Sequence, residues 1–167
     1  VSEIRAQREL NAAENNELVT TPVPLRSKDV LEEVIGVYAG HEVARGRSLV
    51  IGAGDDVSFI ADAGLIRRVL GNMVKNALEA SGSGETVTVR SVSSHEVISF
   101  TVNNPAVMSP EVRLQIFQRS FSTKGMDRGL GTYSIKLLTE RYLGGEVSFE
   151  STPDAGTTFC ITLPLGM

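Results

Sequence analysis

The chain has 167 residues, 41% hydrophobic and 22% charged, with a net charge of −4 and an isoelectric point near 5.2. That is enough for one ordinary domain with its own core, and too apolar for a disordered segment. The acidic balance speaks against a nucleic-acid surface, the single cysteine, Cys160, excludes an internal disulfide or cysteine metal cluster, and no apolar run approaches the roughly 20 residues of a membrane helix. The charged, polar beginning carries no signal-peptide pattern, so a cytoplasmic chain is expected.

In chain order, residues 1–17 set Ile4, Leu10, Ala12 and Ala13 among charges and amides. This is a helix too thinly apolar to stand without a partner. Val19 to Leu25, with Pro22 and Pro24, reads as an extended edge. Ser27 is placed as the N-cap of a helix with Asp29 in its first turn and Val30, Leu31, Val34, Ile35 and Tyr38 as its buried stripe, closed by Gly46. Ser48 to Gly52 and Val57 to Ile60 are short strands around the turn of residues 52–56. Asp62 caps the next helix, Ala63 to Ala80, whose stripe is Leu65, Ile66, Val69, Leu70, Met73, Val74 and Ala77.

Within that helix Asn72 and Asn76 stand four residues apart, so both amides leave one face. Asparagine prefers caps and turns, and two in register in mid-helix call for a reason. They are either solvated positions or oxygen donors for a hard cation such as Mg²⁺. Lys75 is offset from that face and either reaches a phosphate or is solvated. His41 and His95 read as ordinary surface histidines.

Thr86 to Val92 and Val97 to Val102 form a hairpin, with Val87, Val89 and Ser91 inward. Pro110 opens a short helix. Residues 118–128 are polar, hold Arg119, Lys124 and Arg128, and have the composition of a lid. Phe117 and Phe121 hold its base. Gly129-Leu130-Gly131-Thr132 then turns directly onto a helix, Tyr133 to Leu143, stopped by Gly144-Gly145. Free N–H groups and the helix dipole there suit a phosphate, with Thr123, Lys124 and Arg128 as further phosphate-facing candidates. Val147 to Ser151 and Thr158 to Leu163 form a last hairpin, in which Cys160 reads as a small core residue. Mixed helices and hairpins imply an α+β fold: a two-layer α/β sandwich, a mixed sheet with helices packed on one face.

Taken together the stretches resemble the ATP-binding domain of sensor histidine kinases, in the superfamily that also holds gyrase, Hsp90 and MutL types. Asn72 to Ala80 looks like its N box, Ile116 to Lys124 like its F box, and Arg128-Gly129-Leu130-Gly131-Thr132 like its G2 box. Gly144-Gly145-Glu146-Val147 and Gly156-Thr157-Thr158-Phe159 match its closing strands. The resemblance implies ATP and Mg²⁺ as cofactors, with Asn76 as metal ligand and Asn72, Asn76, Lys124 and Arg128 as the catalytic set. Lys75, Asn103, Asn104, Thr123, Gly129, Leu130, Gly131 and Thr132 join these in holding nucleotide. It also implies transfer of the γ-phosphoryl group to a histidine on a separate dimerisation domain, a response regulator as downstream partner, and a homodimer in the intact protein. Residues 1–17 would then be the tail of the dimerisation helix or a linker, and 18–167 the catalytic domain, monomeric by itself and binding ATP without turnover. The gyrase, Hsp90 and MutL types place a glutamate one turn before the metal-binding asparagine as a base for water. Here that position is Asn72, which cannot accept a proton, so phosphoryl transfer is favoured over hydrolysis.

One box departs. Where the family has Asp-x-Gly-x-Gly, alignment through Met108-Ser109-Pro110-Glu111 gives Asn103-Asn104-Pro105-Ala106-Val107. Asn103 stands for the adenine-binding aspartate, with Asn104 in its place if the loop shifts by one residue. Pro105 and Val107 remove the freedom that glycine allows. A neutral amide accepts a hydrogen bond more weakly than a carboxylate, but it also carries donors. Weaker ATP binding and looser base discrimination are therefore expected, and a degenerate nucleotide-binding or protein-interaction module is the alternative function.

Overall fold

The computed structural model describes the backbone of residues 2–118 and 130–166, and the side chains of 8–118 and 131–166. Elements follow the order α1 (Ser2–Glu14), β1 (Pro22–Arg26), α2 (Ser27–Ala39), β2 (Ser48–Ile51), β3 (Ser58–Asp62), α3 (Ala63–Ala80), β4 (Thr86–Ser94) and β5 (Val97–Asn104). Then come α4 (Pro110–Gln115), α5 (Leu130–Leu137) continued by a π-helical turn (Leu138–Tyr142), β6 (Glu146–Thr152) and β7 (Gly156–Pro164). A five-stranded sheet runs in the order β2-β4-β5-β7-β6, parallel at β2–β4 and antiparallel elsewhere. A separate two-stranded ribbon joins β1 to β3. This is the expected α+β sandwich, with a mixed sheet and helices on one face.

Strand alternation decides which face carries the core. Ile98, Phe100 and Val102 of β5, Val87 and Val89 of β4, and Phe159, Ile161 and Leu163 of β7 are buried against Ile66, Val69, Leu70, Met73, Val74 and Ala77 of α3. Phe59 of β3 meets Phe100 edge to face at 5.4 Å, which ties the ribbon into this layer. The opposite face is rich in serine and threonine. Cys160 lies on it, half-buried, because it falls between the inward Phe159 and Ile161; it is not the core residue the sequence suggested.

Two local expectations change, at Ser27 and at the end of α2. Strands β2 and β3 form as expected, and they belong to different sheets. The segment between them is laid along β4, where Asp55 N donates to Ser91 O at 2.7 Å and Ser93 N donates to Asp55 Oδ2 at 2.8 Å. Gly54 makes this possible, since a Cβ there would run into the Ser91 carbonyl. Ser27 is the first residue of α2 rather than its cap. Its buried hydroxyl accepts from Val57 N at 2.9 Å and donates to Asp55 O at 3.2 Å, stitching α2 to the same segment. Asp62 does cap α3, accepting from Leu65 N at 2.9 Å. α2 itself ends at Ala39, before Gly40, and Gly46 (φ +76°) follows a separate short turn.

The partner that α1 needs is the domain itself. Leu10 and Ala13 are buried, Glu9 pairs with Arg68 of α3, and the last carbonyls of α1 are taken up from the π-helical turn. Tyr142 Oη donates to Ala13 O at 2.7 Å, and one Arg141 nitrogen reaches both Ala13 O and Glu14 O at 3.1 and 3.0 Å. Tyr133 Oη adds a bond to Glu14 Oε2 at 2.8 Å.

Candidate functional site

Helix α3 carries the first half of the site. Its apolar stripe holds it on the sheet, and that fixes which way the intervening polar residues point. Asn76 is half-buried, and its Nδ2 is sealed from solvent without a hydrogen-bond partner among the described residues. A buried amide donor left unpaired costs about 1–3 kcal/mol, so such groups mark places where something else completes the contact. What faces Asn76 is the first turn of α5: a Cβ at Gly131 would lie 3.4 Å from both Asn76 Nδ2 and Oδ1. The mid-helix amide and the glycine-opened helix terminus, 55 positions apart by their numbers in the sequence, are therefore adjacent. Thr132 and Ser134, in the same first turns, are buried. The donor set fits an oxygen-seeking divalent cation: Asn76 offers a neutral oxygen, and Asn72 is one helical turn away. Among the described residues no cluster of three or more histidine, cysteine, aspartate or glutamate side chains stands ready for a metal.

Asn72 is half-buried and looks into a cleft of about 840 Å³ between α1, α2 and α3. The cleft is walled by Tyr38, Glu33, Arg67 and Arg68 and reaches none of Asn76, Asn103 or Asn104. Burial, and secondarily Glu79, raises the pKa of Tyr38. The ring lies against Gly71, where a Cβ would come within 3.4 Å of it. Burial likewise lowers the pKa of Arg68. Lys75 is half-buried on the same helix. Leu130 opens α5, whereas Thr123, Lys124, Arg128 and Gly129, together with Phe121, lie outside the described residues. Phe117 packs edge to face on Phe149 and Phe159 at 5.7 and 6.1 Å, as expected of an anchor.

The second half of the site hangs on the end of β5. The amide of Asn103, the residue aligned with the family's aspartate, has other partners. Its Nδ2 donates to Ala155 O and Thr158 Oγ1 at 2.9 Å and to Thr157 O at 3.3 Å, knitting β5 to the β6–β7 turn. Asn104, one residue on, points the other way. It is 3% exposed, on the face that bears α3, and its Nδ2 has no partner among the described residues. Side chains alternate along a strand, so a one-residue slip in alignment exchanges the two faces.

The loop after Asn104 is fixed by a frame that the sequence reading did not single out. Ser151 Oγ accepts from Met108 N at 2.7 Å, Thr157 Oγ1 donates to Ala106 O at 2.7 Å, and these two hydroxyls bond each other at 2.8 Å. Arg113 reaches Ser151 O at 2.6 Å. Gly156 (φ +75°) sits against the loop, and any Cβ would collide with Asn104 O and Pro105 Cα. A signal was present: Ser151 and Thr157 are polar residues at inward positions of otherwise apolar strands. A third buried orphan, Thr139 Oγ1, lies in the π-helical turn.

Comparison with known proteins converges on one family. The family described as "Histidine kinase-, DNA gyrase B-, and HSP90-like ATPase" matches residues 61–167. The chain is 30% identical over 163 residues to the sensor histidine kinase CusS of Escherichia coli (strain K12), covering 93% of this chain and 33% of that protein. It is 29% identical over 140 residues to the heme sensor protein HssS of Staphylococcus aureus (strain JH9), covering 80% and 30%. The chain thus spans about a third of the length of these relatives. Among solved structures, the catalytic domain of histidine kinase ThkA superposes with a TM-score of 0.76 at 23% identity, over 88% of this chain and 99% of that one. The Acinetobacter baumannii histidine kinase AdeS gives 0.79 at 18%, over 97% and 76%. ThkA solved in complex with the response regulator TrrA gives 0.78 at 20%, over 96% and 47%.

Proposed function

From the fact that the chain belongs to the family of histidine kinase-, DNA gyrase B- and HSP90-like ATPases, we propose that it is the ATP-binding catalytic domain of a two-component sensor histidine kinase. Its task is to present the γ-phosphoryl group of ATP to a histidine on a dimerisation domain. The observation that carries this reading is the meeting of Asn76 with the first turn of α5.

Phosphoryl transfer asks a protein mainly to position the reactants and neutralise charge. Asn76 offers its oxygen to Mg²⁺, with Asn72 and Lys75 toward the metal's waters or the phosphates. The N–H groups at the start of α5, around Leu130, Gly131 and Thr132, take a phosphate, as helix N-termini do. Thr123, Lys124, Arg128 and Gly129 remain the proposed phosphate-facing residues of the lid. Asn104, rather than Asn103, receives the base. A cation held there would offset the negative charge of the phosphates. Transfer is favoured over hydrolysis because Asn72 occupies the place of a water-activating carboxylate.

Residues 1–17 then continue from a dimerisation helix, and 18–167 form the catalytic unit, monomeric by itself. The partners are that dimerisation domain, in a homodimer, and a response regulator, with cytoplasmic placement. Among the described residues no helix is long and apolar enough to cross a membrane.

Calorimetric titration with ATP, with and without Mg²⁺, tests the reading. Mg²⁺-dependent binding without turnover, and phosphorylation once a histidine-bearing dimerisation domain is supplied, is the expected result. Absence of nucleotide binding at millimolar concentration overturns it and leaves a degenerate interaction module.

A further inference from the structure

We propose that the nucleotide site accepts 6-oxopurine as well as 6-aminopurine nucleoside triphosphates, GTP and ITP beside ATP, because its base is read by the amide of Asn104. This rests on the ATP-site reading and extends it to substrate class.

Asn104 is 3% exposed, lies on the helix-facing side of β5, and has no partner for its Nδ2 among the described residues. A buried donor without an acceptor calls for an acceptor from a ligand. The neighbouring asparagine cannot substitute for it, since Asn103 spends its amide on the β6–β7 turn. Nor can Asn104 readily swing away. Its own carbonyl lies against Gly156, and the following loop is pinned by Ser151, Thr157 and Arg113.

The edge of a purine that an amide reads has two adjacent groups. In adenine they are the 6-amino donor and the N1 acceptor. In guanine and hypoxanthine they are the 6-oxo acceptor and the N1–H donor. An amide presents one acceptor and one donor side by side, and turning it by 180° exchanges them. With the base in one place, Asn104 therefore accepts from the 6-amino group of adenine in one orientation and donates to a 6-oxo group in the other. A carboxylate accepts only. It satisfies the 6-amino group of adenine and repels a 6-oxo group. Replacing such a carboxylate by Asn104 thus weakens the bond to adenine and removes the barrier to guanine and hypoxanthine. The Nδ2, buried and without a partner among the described residues, is the donor that a 6-oxo group would take.

The test is calorimetric titration of the chain with the Mg²⁺ complexes of ATP, GTP and ITP, in the unmodified protein and in Asn104→Asp. ITP has the 6-oxo edge without the 2-amino group of guanine, so it reads that edge with no added bulk. In the unmodified chain GTP or ITP should bind within about tenfold of ATP, the span of one hydrogen bond lost or kept. Asn104→Asp should hold or tighten ATP and weaken both 6-oxopurine nucleotides by roughly tenfold or more, as loss of a donor and gain of a repulsion demand. ATP binding with both GTP and ITP more than tenfold weaker in the unmodified chain overturns the inference while leaving the ATP site standing. An unchanged ratio of ATP to 6-oxopurine affinity in a folded Asn104→Asp variant also overturns it. Should that variant fail to fold, the ITP-to-ATP ratio of the unmodified chain decides alone. Failure of all three nucleotides to bind overturns the ATP-site reading itself.

Discussion

Helix α3 and the end of strand β5 each hold an asparagine whose Nδ2 is buried, yet the sequence singled out Asn76 for a metal and left Asn103 and Asn104 as alternatives for the base. On α3, Asn76 sits in a stripe-and-face pattern repeated over five turns, so its direction is over-determined by Ile66, Val69, Leu70, Met73, Val74 and Ala77. An error of one residue would rotate it by only 100°. On β5 the same error sends the side chain to the other face. Alignment through Met108 to Glu111 names Asn103, while the alternation Ile98, Phe100, Val102 continues to Asn104. Where a motif and a strand period disagree, the period has the core behind it.

The comparison is broken most severely at Gly156, on which the β5 loop rests. Gly156→Ala adds a positive-φ penalty to a collision with Asn104 O and Pro105 Cα. It should cost about 3 kcal/mol, read as a lower urea midpoint with unchanged slope. A loss under 1 kcal/mol would show that the loop moves freely.

The next largest effect is on binding. Asn76→Ala should keep or slightly raise thermal stability, since it removes an orphaned donor and Ala is the better helix former. It should also weaken Mg²⁺-dependent ATP binding by roughly tenfold or more, as loss of a direct metal ligand implies. Equal affinity at saturating Mg²⁺ would remove Asn76 from the metal.

The two neighbouring asparagines sharpen the contrast. Asn103→Ala strips the β6–β7 turn of its donor and should cost about 1–2 kcal/mol of stability while leaving the preference among purines unchanged. Asn104→Ala should do the reverse: little change in melting temperature, and weaker binding of ATP, GTP and ITP alike. If Asn103→Ala alters base preference, the assignment of faces is wrong.

The smallest effect is electrostatic. Arg26, through a hydrogen bond to Asp56, holds that carboxyl below its ordinary pKa, and Lys28 N also donates to it at 3.3 Å. A depressed carboxylate contributes its stabilisation above the unfolded value near 3.9, and the contribution fades as pH falls through the lower folded value. Both side chains are about half exposed, so added salt should erase most of it. Asp56→Asn should flatten the acid limb of the stability curve slightly, and an unaltered limb would show that the pair contributes nothing.

Much of the fold was legible because helix and strand periods repeat over many residues. Helix α3 and its Asp62 cap, the β4–β5 hairpin with Ser91 inward, and the β6–β7 hairpin all emerged from periodicity and turn residues. Isolated signals fared worse. Ser27 looks like a cap because serine before a helix usually is one, but its hydroxyl is claimed by Val57 and Asp55, 30 and 28 residues away. Short β2 and β3 emerged as strands, but nothing local records that β2 runs parallel to β4 in another sheet. The frame of Ser151, Thr157 and Gly156 beneath the base loop left only two polar residues at inward strand positions as its mark, since its hydrogen-bond partners lie up to 51 residues apart.

The π-helical turn gives the molecule a mechanical property. Tyr142 and Arg141 hold the last carbonyls of α1, and the same rod, eight α-helical and five π-helical residues, starts at Leu130, one residue before the glycine that faces Asn76. At about 1.5 Å per residue this is a strut of roughly 20 Å. The socket of α1 and the terminus beside the amide face are thus opposite ends of one helical element.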